Sequence, residues 1–209
     1  KCSGFRDTEH DRDATNPTDV MVCYDQSNLY IAFVCYDSQP SLIQAQQTQR
    51  VCGLGSDDRV SILIDTLHNH LDNYEFMVNP ISTQDESIPY ASAENITWRG
   101  DWHAASAVNE KGWCSEIAIP FRTLRYPAKG DTFGIAFTRS VPRLAESSVW
   151  PDVGANWDMK RFADLTQIKL PKQRGWPVLM PYSVASTQPG DSMSRIGFDF
   201  KEEFANNII

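Results

Sequence analysis

Two carboxylates, Glu75 in YEFMV and Glu116 in WCSEIAI, are the residues of this 209-residue chain that could act as an acid–base pair. Glycoside hydrolysis by such a pair needs the two groups about 5–9.5 Å apart across a cleft. Glu116 follows the same alternation as Cys114 and Ala118, which fits a structural ion pair with Arg122, Arg125 or Arg139 better than catalysis. The chain has no G-x-S-x-G, H-E-x-x-H, P-loop or dinucleotide fingerprint, so it reads as non-catalytic. His10 among Asp7, Glu9, Asp11 and Asp13 has the residue types of a metal site, but a solvated charge run is the stronger reading. Cys2, Cys23, Cys35, Cys52 and Cys114 contain no C-x-x-C, which argues against zinc.

Aromatic residues are plentiful: six Trp, seven Tyr and ten Phe. They serve either a sandwich core or a surface on which flat sugar rings stack. A net charge of −8 argues against binding a phosphate backbone, which requires clustered Lys and Arg. No apolar run approaches the roughly 20 residues that a membrane helix needs. Lys1 is not a start methionine, so the chain reads as an excised or processed piece.

The elements that must position these groups are strands. Gly112 to Tyr126 (GWCSEIAIPFRTLRY) alternates Trp113, Ser115, Ile117 and Ile119 against Cys114, Glu116 and Ala118, then stops at Pro120 and makes one tight turn. TDVMVCYD and NLYIAFVCYD form a hairpin around a short polar turn. The second of these, nearly continuously apolar, is predicted to be central and covered on both faces. If Gln26-Ser27 is a two-residue loop, Cys23 faces Tyr30, and a Cys23–Cys35 disulfide is geometrically poor. Pairings among Cys2, Cys52 and Cys114, or buried free thiols, remain open.

Arg59 to Thr66 points Val60, Ile62 and Ile64 inward, and YEFMVNP, Trp102 to Asn109 and Asp131 to Val141 are further strands. LTQIKL reads as the closing strand. Residues 1–17, 81–100 and 142–164 read as irregular, the last a loop long enough to be functional. The fold class is all-β: an antiparallel β-sandwich of jelly-roll or immunoglobulin-like two-sheet architecture. The sandwich is assigned to 1–174. Residues 175–209 read as an exit strand, a linker over TQPGDSMS and the truncated start of another domain.

The ordered segments T-D-V-x-V-x-Y-D, D-D-R-V-S-I-L-I-D-T, Y-E-F-M-V-N-P, G-W-C-S-E-I-A-I-P-F-R-T-L-R-Y, G-I-A-F-T-R-S-V-P-R and F-A-D-L cover roughly Thr18 to Leu170. Together they resemble the family 9 carbohydrate-binding modules and their DOMON-like sandwich relatives. The subtype they are most similar to precedes an outer-membrane-type β-barrel domain of unknown function in bacterial envelope proteins. PYSVAS followed by IGFDFKEEF is similar to the approach to that barrel.

The resemblance implies a sugar stacked between two aromatic side chains and held by charged and amide groups. Trp157 falls in the place of one aromatic, in the loop ahead of F-A-D-L. The place of the other holds Gly55, and the charged positions on the two following strands hold Ser61 and Met77. The rest of the site would come from Trp98, Trp102, Trp150, Arg99 or Asn156. Relatives that bind calcium imply ligands among Asp37, Asp57, Asp58, Asp65, Asp72 and Asp85, with Asp37, Asp58 and Asp65 the first choice. Aspartates at strand ends also serve to bond turn amides. Relatives that hold haem between the sheets imply Met77 with His103 or His68.

The sequence thus leads to an extracytoplasmic, non-catalytic saccharide-binding domain. Its rivals are an interaction domain docking on a barrel partner without sugar, and more remotely a haem-binding electron-transfer domain.

Overall fold

Gly112–Pro120 forms the nine-residue strand β9, with Trp113, Ser115, Ile117 and Ile119 buried and Glu116 exposed between them, as the alternation predicts. The structure is a computed structural model that describes residues 1–50, 53–88, 98–171, 178–188 and 191–201. Cys52 and the last residues of the tail lie outside that set. β9 pairs on one edge with β4 (Asn28–Tyr36) and on the other with β8 (His103–Asn109); β3 (Thr18–Tyr24) completes an antiparallel sheet in the order β3-β4-β9-β8.

The β3–β4 turn is fixed by Asp25, whose carboxylate accepts the backbone N–H groups of Ser27 and Asn28 at 2.7 Å each. Cys23 therefore pairs with Tyr30, and Cys35 with Thr18. Cys2, Cys23, Cys35 and Cys114 are free thiols. β4 departs from expectation. It is central, but only Leu29, Ile31, Phe33 and Cys35 are buried, and Tyr30, Ala32 and Val34 lie on a partly open outer face. An apolar run in a strand marks its residue types, not the number of layers covering it.

The second sheet, among the described residues, has eight strands: β1 (Arg6–Asp7), β2 (Arg12–Asp13), β5 (Arg59–Asp65), β6 (Tyr74–Val78), β7 (Gln84–Ser87), β10 (Phe133–Val141), β11 (Glu146–Trp150) and β12 (Ala163–Leu165). Their order is β2-β1-β11-β10-β5-β6-β7, with β12 also on β10. Strands β1, β2, β7 and β11 fall where the sequence suggests irregular chain. Their residues are largely polar, and they are held by neighbours already in the sheet rather than by their own propensity. The closing strand is Ala163–Leu165, so LTQIKL, expected to form it, contributes only Leu165 and is otherwise not strand.

The two sheets meet face to face. Phe33 of β4 packs edge-on against Phe137 of β10 at 5.7 Å, within a core that includes Val20, Ile31, Val60, Ile62, Phe76, Trp113 and Ile119. Each such side chain contributes roughly 1.5–3 kcal/mol on burial.

The D-D-R-V motif anchors the Gln-rich segment before it. Asp57 accepts the N–H groups of Gln46 and Gln47 at 3.0 and 2.9 Å and the Asn79 amide at 2.9 Å, while Asp58 accepts the N–H of Gln44 at 2.8 Å. These bonds explain why residues 43–50 lie as neither helix nor strand.

The chain divides into two compact units, Lys1–Pro171 and Lys172–Ile209. The second contains a hairpin of β13 (Val178–Gln188) and β14 (Asp191–Lys201), paired from Val178↔Lys201 to Gln188↔Asp191. The stretch expected to be a linker is thus mostly strand.

Candidate functional site

β11 and β12 pair with the same edge of β10, β11 along residues 137–141 and β12 along 133–135. The segment between them must leave that edge and return. It does so across the outer face of the eight-stranded sheet, where Val153 and Phe162, with Met159, bury Leu63, Ala136 and Val149. Local bonds set its shape: Gly154 N–H donates to Asp152 at 2.8 Å, Trp157 N–H to the Gly154 carbonyl at 3.1 Å, and Asp158 N–H to the Val153 carbonyl at 3.0 Å. Trp157 lies at the turn of this segment with φ 52° and 44% of its surface exposed.

Below Trp157 is a depression of about 270 Å³ lined by Arg59, Ser61, Leu63, Glu75, Thr138, Ser140, Ser147 and Trp157. The strand period puts these residues on one surface. Ser147, Ser140 and Arg59 form one row across β11, β10 and β5; Thr138, Ser61, Met77 and Asp85 form the next; Leu63, Glu75 and Ser87 a third. The floor is thus four hydroxyls with a carboxylate and a guanidinium beside them.

Burial pushes the Glu75 carboxyl above its ordinary range, and the nearby Asp85 charge adds to this. The hydroxyls of Ser61 and Ser87 and the Arg59 charge act the other way. Ser87 Oγ donates to Glu75 at 3.4 Å, and Arg59 Nη1 donates to the Leu54 carbonyl at 3.0 Å. Such a surface can stack one flat ring and exchange hydrogen bonds with several hydroxyls.

A larger depression of about 470 Å³ lies on the outer face of the other sheet, over Met21, Ala32, Ala105, Glu116 and Ala118. It is bigger and mostly apolar, with Tyr30, His103 and Glu116 as the ionisable side chains at its edges besides Cys23. The smaller, hydroxyl-lined depression is the candidate site.

Of the residues expected to hold a sugar, Trp157 lines this site and Asn156 is its exposed sequence neighbour. The others stand elsewhere. Trp102 is buried in the core, its indole N–H bonded to Glu86 at 3.3 Å, so its ring is closed to a ligand. Trp98 packs on Tyr74 and Phe76 at 5.5 and 6.0 Å. Trp150 stacks on Phe137 at 5.9 Å in the core between the sheets. Arg99 is exposed, donating to the Trp98 carbonyl at 3.3 Å.

Asp37, Asp58 and Asp65 do not converge on a cation. Asp37 takes Arg143 Nη2 at 2.7 and 2.8 Å on its two oxygens and lies 3.6 Å from Arg139. Asp58 lies 3.5 Å from Arg143, and burial raises its carboxyl above the ordinary value. Asp65, at the far end of β5, caps the backbone N–H groups of Leu67, Asn69 and His70. Among the described residues, no three His, Cys, Asp or Glu side chains are grouped as metal ligands.

Neither the carboxylate pair nor the residues expected to ligate a haem come together between the sheets. Glu75 and Glu116 stand on the outer faces of opposite sheets, separated by the whole sandwich. Arg122 pairs with Asp101, and Arg139 with Asp37. Met77 is on the outer face of β6, His103 is exposed on β8, and His68 bonds Asp164 at 2.9 Å. The space between the sheets is filled by Phe33, Phe137 and their neighbours.

The sequence marks Ser61 and Glu75 singly but does not join them to Arg59, Thr138, Ser140 and Ser147. The same alternation that sends Val60 and Ile62 inward sends Arg59 and Ser61 outward.

The family model described as carbohydrate family 9 binding domain-like matches residues 5–141. No curated protein matches the chain significantly. Among solved structures, a carbohydrate binding module family 9 from Caldicellulosiruptor kristjanssonii in complex with glucose superposes with a TM-score of 0.50. It is 15% identical, over 77% of this chain and 79% of that one. A structure from the same organism and family with cellotriose gives 0.50 and 17% identity, over 77% of each chain. A candidate carbohydrate-binding protein from Bacteroides uniformis gives 0.51 and 12%, over 71% and 76%. At these identities the likeness is one of fold.

Proposed function

Because the chain belongs to the carbohydrate family 9 binding domain-like family, we propose that it is a non-catalytic saccharide-binding domain whose ligand lies under Trp157 on the eight-stranded sheet. The carrying observation is that an exposed indole lines one depression with four hydroxyls, which two neighbouring rows of the sheet fix in place. An indole face meets the C–H face of a pyranose, while Ser61, Thr138, Ser140 and Ser147 exchange hydrogen bonds with its hydroxyls. A volume of about 270 Å³ lies just below the roughly 300–1,000 Å³ of sites for drug-sized ligands, which suits one sugar ring rather than a buried oligomer. The solved family 9 modules with glucose and cellotriose make soluble gluco-oligosaccharides the first panel to try.

Titration of the chain with that panel, followed by Trp fluorescence and calorimetry, should saturate. Trp157→Ala should abolish the response while leaving the melting temperature in place. Unchanged affinity in the variant would remove Trp157 from the site. No response to any glycan would remove the reading.

A second proposal concerns location: the chain works outside the cytoplasm, with β13 and β14 opening a following outer-membrane-type barrel. Its support is that each strand has 11 residues, the length of about 9–11 that a lipid-spanning strand requires. Leu179, Ile196 and Phe198 stand exposed on one face, and Met180, Tyr182, Val184 and Met193 share the other with Arg195 and Asp199. Flotation of the chain with liposomes should carry it upward, and a chain that stays at the bottom of the gradient counts against the proposal.

A further inference from the structure

The sequence suggests an arginine partner for Glu116, but among the described residues it has no ion pair or hydrogen bond. Its carboxylate stands exposed on the outer face of the four-stranded sheet, directly between Ala32 of β4 and Ala105 of β8. Neither neighbour can bond to it. One row along, Cys23, Tyr30, Ala118 and His103 lie side by side across β3, β4, β9 and β8. Alanine at 32 and 118 lowers this surface, and the longer side chains of Met21, Tyr30, Glu116 and His103 rim it. The result is the depression of about 470 Å³, with no Lys or Arg among its lining residues. The Tyr30 hydroxyl accepts from Asn28 Nδ2 and donates to Asp25, both at 3.0 Å, which draws its ring toward the β3–β4 turn and off the alanines. We propose that this depression binds a small organic cation, an apolar body ending in an ammonium group, with Glu116 as its counter-ion.

The charge of the occupant follows from desolvation. An apolar body that covers the alanines on both sides of Glu116 also strips water from its carboxylate. A carboxylate desolvated without a partner is costly. A neutral hydrocarbon and a lipid bilayer both incur that cost, and an anion adds repulsion to it. An ammonium removes it, because it brings a charge-assisted hydrogen bond to the only acidic side chain of the lining. A sugar fits poorly, since the floor here is methyl groups where the depression under Trp157 has hydroxyls. The volume falls within the roughly 300–1,000 Å³ of small-molecule sites. The aromatic wall of Tyr30 adds attraction for a cation. This site is on the opposite outer face from Trp157 and does not depend on the saccharide reading.

The test is calorimetry on the whole chain with three probes of similar shape: phenylbutylamine, phenylbutanol and phenylbutyrate. The amine should bind at least about tenfold more tightly than the alcohol, the strength of one hydrogen bond to a charged group. The acid should bind more weakly than either. Glu116→Gln, which keeps the shape and removes the charge, should bring the amine to the affinity of the alcohol. Ala118→Leu, which raises the floor, should weaken amine and alcohol alike. Melting curves report whether the variants fold, and the exposed Glu116→Gln keeps the test decisive if Ala118→Leu does not. An amine no better than the alcohol overturns the proposal, as does an amine preference that survives Glu116→Gln. So does an amine affinity that a folded Ala118→Leu leaves intact, or no binding of any probe at millimolar concentration.

Discussion

The indole N–H of Trp102 donates to Glu86 Oε2 at 3.3 Å, and both side chains are sealed from solvent at one end of the core. The same carboxylate takes Arg50 Nη2 at 2.7 Å and the Gly100 N–H at 3.2 Å. Trp102 is therefore one of the donors that make a buried charge tolerable. Trp102→Phe keeps most of the ring and removes that donor, so it should cost about 1–3 kcal/mol in urea unfolding. Affinity for any saccharide should not change. A variant as stable as the parent chain would show that Glu86 does not depend on this bond.

The turn into β9 depends on Gly112. Its φ is +136°, and a Cβ there would lie 2.0 Å from the Cys35 carbonyl oxygen. That oxygen belongs to the neighbouring strand and cannot swing aside as a flexible side chain can. Gly112→Ala should therefore destabilise by more than about 3 kcal/mol, visible as loss of soluble protein or a sharp drop in denaturation midpoint. A near-normal midpoint would mean the β4–β9 register adjusts more readily than a paired sheet should.

Asp58 gives a pH prediction. Burial raises its carboxyl, and the Asp37 charge adds to this, while the Gln44 N–H and the guanidinium groups of Arg143 and Arg139 work against it. With a folded value above the unfolded one of about 3.9, the folded state holds its proton to higher pH. Stability from this group is then full below the unfolded value and is lost as pH rises through the folded value. Asp58→Asn cannot ionise. The melting temperature of the parent chain minus that of the variant should fall as pH rises from about 4. A difference that climbs across the same range would reverse the assignment.

What the sequence discloses depends on whether a side chain's partner lies within its own strand. β9 and β5 are legible because Trp113, Ile117, Val60 and Ile62 mark a buried face by period alone. β11 is not, because its buried residues include Glu146 and Ser148, and Glu146 is satisfied by the backbone and hydroxyl of Thr15, 131 residues away. The strand-end aspartates mislead similarly: what occupies Asp37 is Arg143, which no local pattern announces. Part of the candidate site is legible in the sequence: the resemblance puts Trp157 ahead of F-A-D-L, and strand period sends Arg59 and Ser61 outward. That β10 lies beside β5, so that Thr138 joins Ser61, is a fact of sheet order.

Trp157 occupies the left-handed region at φ 52° with its side chain partly in solvent. A non-glycine residue there costs roughly 1–2 kcal/mol, and an exposed indole recovers less by burial than a buried one. Strain of this kind persists where the surrounding structure enforces it, and it is commonest at ligand sites. The two substitutions at this position should therefore separate backbone from side chain. Trp157→Gly removes the ring and the left-handed penalty together, whereas Trp157→Ala removes only the ring. Both should lose saccharide binding. The Gly variant should nevertheless be the more stable of the two, by up to about 1 kcal/mol once the larger unfolded-state freedom of glycine is deducted. Paired urea melts measure that difference directly. If Ala proves the more stable, the backbone at 157 relaxes without its indole, and the ring rather than the loop sets the turn.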